Sequence, residues 1–362
     1  MKRLALLLFV VLLITQPAWA GRAKVDSIAK DPYLSALVID ADSGKVLFAD
    51  HPETTVYPAS VLKMMNLLVI LDLVDQGKVK LEDMVQVTPE ASKIGGSQVY
   101  LDPKERFSVE DLLYALAVQS ANDSAVALAI HVAGSKEGFV AMMNDKAAAL
   151  GMKNTKFYSV HGLPPADGQK VDQTTANDLA LLCRALIARP NALKYTGTKE
   201  RPFRDGKFIM RNHNHLLGAV DGCDGFKTGY FEAGGFSIAT TAKRGGVRII
   251  AIVMGSKDRK VRDAKARELL SVGFAAVPPK PEAVKIATAT EPTPAKATIA
   301  ASSDTSAVQA AAPEKETTKA LALGGWSSFL VGGTAGFLFF GLLSFFLMRR
   351  ATAKKKQGQG LS

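Results

Sequence analysis

A run of 28 residues without a charged side chain, residues 321–348, is the feature that most constrains what this chain can fold into. A helix needs about 20 predominantly apolar residues to cross a bilayer, and a helix in a soluble core rarely extends so far without a polar face. Five basic side chains follow between positions 349 and 356. Because positive charge is retained on the cytoplasmic side of a membrane, we expect a transmembrane helix at 321–348 and a basic cytoplasmic tail at 349–362.

The N-terminus carries an export signal. Two basic residues precede an apolar run at residues 4–14, and Ala18 and Ala20 place small side chains where a signal peptidase reads them. An uncleaved anchor is the alternative, but the run is short for a membrane span. We expect a signal peptide at residues 1–20 and a single-pass protein of the cell (inner) membrane, with residues 21–320 on the extracytoplasmic or periplasmic side.

Most of the net charge lies at the two ends of the chain. The formal net charge is +11, of which residues 1–20 contribute +2 and residues 349–362 contribute +5, so residues 21–320 carry +4. A balance of this size is ordinary for a protein surface and lacks the basic patch of a nucleic-acid-binding protein. We therefore expect no nucleic-acid partner.

The cysteine and histidine content argues against a metal. The two cysteines, Cys183 and Cys223, leave open whether a disulfide forms, because bridging requires Cα atoms within about 7 Å. There is no C-x-x-C motif and no histidine pair at the spacing of zinc ligands. We expect neither a metal nor another cofactor.

Residues 21–278 follow the order strands, helices, strands, helix, which is typical of an α+β fold with an antiparallel sheet. Strand patterns are predicted at 34–40, 45–49, 236–242 and 246–254. Helical periodicity is predicted at 60–73, 109–133, 136–150, 175–188 and 260–272. Residues 279–320, rich in Ala, Thr, Pro, Lys and Glu, show no apolar period and are typical of an extended, disordered tether.

Three short motifs occur in order: Ser-Val-Leu-Lys at 60–63, Ser-Ala-Asn at 120–122 and Lys-Thr-Gly at 227–229. Each is weak alone, and a second Ser-x-x-Lys stands at 27–30. We discard that copy because it lies beside the signal cleavage site and runs into a proline. The ordered set is much more selective than any single match.

The motifs supply the parts of a serine acyl-transfer site. A serine hydroxyl needs a neighbouring base, and Lys63 lies one helical turn after Ser60, on the same face. The amine can act as that base if burial and a second cation, for which Lys227 is the candidate, lower its pKa. Ser120 can relay a proton to a leaving amine, and Asn122 can hold a substrate amide.

The third motif is predicted to lie where a strand begins, and it supplies substrate contacts. Lys227 and Thr228 can hold a carboxylate, and Gly229 allows close approach of backbone or ligand.

Together the motifs resemble those of the penicillin-binding proteins and serine β-lactamases. With the segments at 57–60, 119–123, 157–163 and 224–229, residues 28–275 resemble the D-alanyl-D-alanine carboxypeptidases more closely. The resemblance implies a β-lactamase/transpeptidase-like fold, an antiparallel sheet flanked by helices with a helical subdomain. It also implies removal of the terminal D-alanine from peptidoglycan stem pentapeptides through an acyl-enzyme, and covalent inhibition by β-lactam antibiotics.

The same resemblance assigns roles to residues. Ser60 is implied as the nucleophile and Lys63 as the general base, with an oxyanion hole formed by the backbone N–H of Ser60 and one near Phe231. Arg262 falls where the family has a residue that helps to hold the terminal carboxylate. His213 stands where one branch of the family has an arginine, which marks a difference in the finer substrate contacts.

Three other functions remain open from the sequence. A D,D-endopeptidase would use the same chemistry. A β-lactamase would need a deacylating glutamate, and neither Glu137 nor Glu200 lies in a suitable context. A non-catalytic, membrane-held scaffold that binds the cell wall is the alternative of another class.

Overall fold

A computed structural model describes residue 23, residues 25–189 and residues 191–279. The signal peptide predicted at 1–20, the tether beyond residue 279, the membrane span at 321–348 and the tail at 349–362 lie outside these residues. Within the described ranges, no single helix has both the length and the hydropathy of a membrane span; the pair Asn122–Ala133 and Lys136–Ala149 reaches both only when taken together, across a bend of 85°.

The described strands form one large sheet and two hairpins. The strands are β1 Ser35–Asp40, β2 Val46–Asp50, β3 Met84–Gln86, β4 Arg106–Ser108, β5 Glu200–Phe203, β6 Phe208–Arg211, β7 Cys223–Phe231, β8 Gly235–Arg244 and β9 Val247–Ser256. Five of them pair in the order β2-β1-β9-β8-β7, and every pairing is antiparallel. Strand β7 is therefore an edge of the sheet, and the predicted antiparallel α+β architecture is confirmed.

The sheet is buried on both faces because its central strands alternate between two hydrophobic cores. On β9, Ile250 and Ile252 belong to the larger core with the helices, whereas Ile249 and Ala251 belong to a smaller core with Leu269 of the last helix. Successive side chains of a strand point to opposite faces. The apolar run of β9 therefore serves two layers of helices at once.

The helices form those two layers. They are α1 Lys63–Asp75, α2 Pro89–Ser92, α3 Val109–Ala117, α4 Asn122–Ala133, α5 Lys136–Ala149, α6 Ala176–Ile187, α7 Ala192–Thr196 and α8 Arg259–Ala276. Helix α1 is buried from Lys63 to Asp72, and Ser135, Thr175 and Asp258 cap the N-termini of α5, α6 and α8 through side-chain hydrogen bonds. Among the helices that the structure describes, only α8 covers one face of the sheet, and the other long helices lie on the opposite side.

Two sequence-based predictions are wrong in ways that matter for the site. The helix predicted at 109–133 is two helices, because Ser120 has a φ of 60° and Ala121 is extended. A left-handed backbone conformation cannot continue an α-helix. The Lys-Thr-Gly motif, predicted where a strand begins, lies in the second half of β7.

Candidate active site

Ser60 lies in a 3-10 turn, Ala59–Leu62, that leads directly into α1. Lys63 is the first residue of the α-helix, so the two side chains lie on one face, and Lys63 Nζ is 2.8 Å from Ser60 Oγ. Ala59 has a φ of 46°, which bends the chain sharply before the serine. The helix predicted to begin near Ser60 is confirmed, with a tighter first turn.

Lys63 is surrounded by neutral oxygen atoms. Besides Ser60, its Nζ bonds Asn122 Oδ1 at 2.7 Å and the backbone carbonyl oxygen of His161 at 2.9 Å. The side chain is 1 % exposed. Burial, followed by repulsion from the Lys227 ammonium, holds the pKa of Lys63 well below its usual value. A neutral amine can accept the Ser60 hydroxyl proton while donating to the other two oxygens.

The second motif lies in the break between α3 and α4. Ser120 lines the pocket described below, and Asn122 uses both ends of its amide: Oδ1 accepts from Lys63 and Nδ2 donates to the Gly95 carbonyl at 2.7 Å. A Cβ at Gly96 would lie 2.6 Å from Asn122 Nδ2. The glycine therefore lets the loop close over the asparagine.

The side chain of Asp123 anchors the loop at 95–101 through hydrogen bonds. Its buried carboxylate accepts hydrogen bonds from the backbone N–H groups of Val99 at 3.2 Å, Leu101 at 3.0 Å and Ser124 at 2.9 Å. The loop that carries Gly95 and Gly96 is thus anchored to the residue that follows Asn122. The sequence alone does not mark Asp123 as a site residue, because an acid at the first turn of a helix is also an ordinary cap.

A second buried acid, Asp172, supports the carbonyl that holds Lys63. Its carboxylate accepts from the N–H groups of Tyr158 at 2.6 Å and Ser159 at 2.9 Å and from Ser159 Oγ at 2.7 Å. Ser159 Oγ in turn accepts from Gly162 N–H at 2.9 Å, and burial raises the pKa of Asp172. The sequence gives no local signal for this residue, because it lies 13 positions beyond the segment that it holds.

The third motif runs alongside the serine on the free edge of the sheet. Lys227 is buried, and burial together with the Arg262 guanidinium lowers its pKa to about 7. A Cβ at Gly229 would lie 2.5 Å from the Pro58 carbonyl oxygen and 3.0 Å from Ser60 N. Any side chain at position 229 would therefore push β7 away from the turn Ala59–Leu62 that carries Ser60.

Phe231, predicted to contribute a backbone N–H, has its ring outside the pocket. The ring stacks on Tyr57, with 5.9 Å between centroids, and packs against Ala59. Tyr230, the preceding residue, lines the pocket instead and stacks on Phe236 at 4.0 Å. The alternation of a strand predicts this arrangement, because Thr228 and Tyr230 share one face.

These elements enclose a cavity of about 410 Å³. Its lining includes Ser60, Gly96, Ser97, Ser120, Asn122, Gly162, Leu163, His213, His215, Thr228, Gly229, Tyr230, Phe236, Arg259 and Arg262. No carboxylate lines this cavity within the described part of the chain, and Lys63 and Lys227 are buried next to it. The electrostatics favour an anionic ligand.

Arg262 reaches the cavity from α8. Its guanidinium donates to Asp263 Oδ1 and to the Ser237 carbonyl oxygen, at 2.9 Å and 3.1 Å, and the side chain is buried. The structure thus brings Ser60, Lys63, Ser120, Asn122, Lys227, Thr228, Gly229 and Arg262 together, and separates only the ring of Phe231 from them.

The structure also bears on the alternatives left open by the sequence. Glu137 lies in the first turn of α5 and Glu200 in β5, where it pairs with Arg211; neither lines the cavity. Cys183 and Cys223 are free thiols. Among the described residues, no group of three or more His, Cys, Asp or Glu side chains is arranged to hold a metal.

Comparisons with known proteins agree with this geometry. Residues 24–258 match the D-alanyl-D-alanine carboxypeptidase family, Peptidase_S11. The chain is 36% identical over 281 residues to the D-alanyl-D-alanine carboxypeptidase DacF of Bacillus subtilis, covering 76% of this chain and 71% of that protein. It is also 36% identical over 286 residues to DacA of Escherichia coli K12, covering 76% of this chain and 70% of the relative.

Solved structures show the same fold. Penicillin binding protein 5 of Haemophilus influenzae superposes with a TM-score of 0.63 at 32% identity, over 70% of this chain and 73% of that one. Penicillin-binding protein D2 of Listeria monocytogenes, solved in its ampicillin-bound form, superposes with a TM-score of 0.61 at 29% identity, over 70% of this chain and 100% of that one. By motif, geometry and similarity alike, this chain belongs to the D-alanyl-D-alanine carboxypeptidase family of serine peptidases.

Proposed function

We propose that the chain removes the C-terminal D-alanine from peptidoglycan stem pentapeptides and that Ser60 carries the acyl group. The observation that carries the assignment is the 2.8 Å contact between Ser60 Oγ and a buried Lys63 amine whose pKa is depressed. A neutral amine at hydrogen-bond distance is what a serine nucleophile needs. Family membership supports the same chemistry.

In the acylation step, Ser60 Oγ attacks the carbonyl carbon of the penultimate D-alanine and its proton passes to Lys63 Nζ. The oxyanion is stabilised by backbone N–H groups of Ser60 and of β7 near Tyr230 and Phe231. The C–N bond then breaks, and the leaving amine takes a proton that Ser120 relays from Lys63. Water hydrolyses the Ser60 ester by the same route in reverse, releasing the shortened peptide.

Substrate binding is assigned to the cationic side of the cavity. The side-chain amide of Asn122 forms a hydrogen bond with the peptide amide. The terminal carboxylate lies against Lys227, Thr228 and Arg262. A carboxylate offsets the mutual repulsion of buried cations, so its binding is favoured there. β-Lactam antibiotics would acylate Ser60 by the same attack.

The test is covalent labelling of the purified full-length chain in detergent with a fluorescent penicillin, followed by mass mapping. We expect one label on Ser60, absent in Ser60→Ala, and release of D-alanine from a pentapeptide ending in D-Ala-D-Ala. A folded protein that neither takes the label nor releases D-alanine would instead favour the non-catalytic scaffold. Rapid, repeated turnover of penicillin would favour a β-lactamase.

We also propose that the enzyme is exported and held in the cell membrane by one pass. The proposal rests on the sequence of residues 1–20, 321–348 and 349–362, with 279–320 as the tether. A tether of about 40 residues reaches on the order of 35 Å as a flexible coil. The catalytic domain would then act on the wall close to the membrane.

A further inference from the structure

The loop at 95–101 contributes to the wall of the cavity and holds Asn122 through its backbone. Ser97 lines the cavity, and its carbonyl oxygen accepts from Asn122 N–H at 2.8 Å. The Gly95 carbonyl oxygen accepts from Asn122 Nδ2 at 2.7 Å, which leaves Asn122 Oδ1 to accept from Lys63 Nζ. The position of the loop therefore determines how the amide of Asn122 is turned toward the base.

The same loop contains a strained residue that faces solvent. Tyr100 has a φ of 58° and is 70% exposed. A left-handed conformation is unfavourable for a residue with a bulky side chain, and such strain persists only where surrounding contacts fix the backbone. The Asp123 carboxylate supplies part of these contacts, because it accepts from the N–H groups of Val99 and Leu101 on either side of the tyrosine.

Arg204 fixes the carbonyl groups of this segment. Its Nη1 donates to the Val99 carbonyl oxygen at 2.5 Å, and its Nη2 donates to the Tyr100 carbonyl oxygen at 2.7 Å. Nε and Nη2 also donate to the two carboxylate oxygens of Glu105, at 2.7 Å and 2.8 Å. The guanidinium lies 4.9 Å from the centre of the Phe203 ring. The planar fork of an arginine can make this set of bonds, whereas the single ammonium of a lysine cannot.

Arg204 lies in the turn between β5 and β6, outside the cavity. This hairpin contains none of the three motifs. Arg204 itself has a φ of 51°, so two left-handed residues, Tyr100 and Arg204, are joined by one hydrogen bond. Backbone strain on both sides of a contact is expected where several bonds fix the geometry.

We propose that Arg204 is a positioning residue for the reaction at Ser60, because it fixes the loop at 95–101 so that Asn122 Oδ1 stays directed at Lys63. The inference rests on the proposed carboxypeptidase function, since it assumes that Lys63 acts as the base. Arg204 acts through the loop and contacts neither the substrate nor the reacting atoms.

Loss of Arg204 should slow the chemical steps more than it weakens binding. Without its bonds the strained segment relaxes, and the amide of Asn122 loses its fixed orientation toward Lys63. We therefore expect kcat to fall. KM should change little, because the cationic residues Lys227 and Arg262 lie on β7 and α8 and not on the loop.

The experiment compares variants of the full-length protein in detergent by two measurements. Release of D-alanine from a pentapeptide ending in D-Ala-D-Ala gives kcat and KM. Hydrogen–deuterium exchange of the backbone reports opening of the loop at 95–101 independently of activity. We expect Arg204→Gln to lower kcat about 10-fold with little change in KM. Its loop should exchange faster than in the parent, while exchange in α1 stays the same.

Arg201→Gln is the matched control on the same hairpin. Arg201 pairs with Asp111 at 3.3 Å, and its guanidinium lies 3.8 Å from the centre of the Tyr114 ring. Its loss therefore weakens the attachment of the hairpin to α3 while the bonds of Arg204 to the loop remain. We expect kcat and loop exchange to match the parent.

Arg204→Lys tests the geometry of the side chain separately from its charge. The lysine keeps the positive charge beside Glu105 but cannot restore the fork, so kcat and loop exchange should resemble those of Arg204→Gln. This milder variant also carries the comparison if Arg204→Gln does not fold.

The outcomes separate the inference from the proposed function. An unchanged kcat in the Arg204 variants, whatever their exchange, would overturn the positioning role and leave the carboxypeptidase intact. Equal losses of kcat in Arg201→Gln and in the Arg204 variants would do the same, because they would trace the effect to attachment of the hairpin alone. A parent protein that releases no D-alanine would overturn both.

Discussion

Lys63 is a buried amine whose hydrogen-bond partners are all neutral. Ser60, Asn122 and the His161 carbonyl offer dipoles in place of a counter-charge. Dipoles offset only part of the cost of burying an ammonium. Lys227 adds repulsion to that cost, and the pKa of Lys63 is held well below its usual value although the Asp123 and Asp172 carboxylates act in the opposite direction.

Replacing Lys227 should therefore change the pH dependence of acylation as well as its rate. In Lys227→Gln the repulsion is lost and the pKa of Lys63 rises. The acid limb of the pH profile for acylation by a fluorescent penicillin should then move to higher pH, by about one unit. The measurement is the second-order labelling rate from about pH 5 to pH 9.

Lys153→Gln, at an exposed position, is the matched control and should leave the profile unmoved. A Lys227→Gln protein that reacts slowly at every pH, with its acid limb in place, would mean that Lys227 contacts substrate without tuning Lys63.

The loop 158–163 packs backbone to backbone against the 3-10 turn that carries Ser60. Gly162 has a φ of 74°, and a Cβ there would lie 2.2 Å from the Ala59 carbonyl oxygen. Gly162→Ala must push the loop away and with it the His161 carbonyl that holds Lys63. We expect a loss of about 1–3 kcal/mol in the free energy of unfolding from overpacking and about a 100-fold slower acylation from misplacement of the base.

Gly168→Ala is a matched control, because Gly168 has a φ of 79° and nothing within 4 Å of a Cβ. It carries the left-handed backbone penalty of about 1–2 kcal/mol without the collision. Denaturant unfolding and penicillin labelling of both variants separate the two effects. Equal acylation rates in the two proteins would contradict the proposed coupling between loop and base.

The sequence predicts the elements of this fold better than the contacts between them. The patterns of residues 236–242 and 246–254 indicate β8 and β9 because both strands are ten residues long and contain several β-branched residues. The break at Ser120 is missed because apolar spacing continues across it, while the turn itself depends on contacts with the loop at 95–101. Asp172 is missed for a related reason: its partners are brought to it only by the fold.

At the scale of the whole molecule, the three motifs meet although 60 and 107 residues separate them along the chain. One comes from the turn before α1, one from the break between α3 and α4, and one from the edge strand β7. No single element contains two of them. Penicillin labelling of Ser60 therefore reports that the helical layer with α1, α3 and α4 is assembled on the sheet, and it can serve as a test of folding in shortened chains.

Such a chain tests the proposed anchor. Deleting residues 321–362 removes the predicted span and tail and leaves 21–320 to be exported. We expect the full-length protein to sediment with membranes and to need detergent for extraction, whereas the shortened protein appears in the soluble extracytoplasmic fraction with its penicillin label intact. Deleting only 349–362 is the control: the span remains, so the protein should stay with the membrane. A shortened chain that keeps its label and still sediments with membranes would place the attachment within residues 1–320, most simply in an uncleaved N-terminal segment.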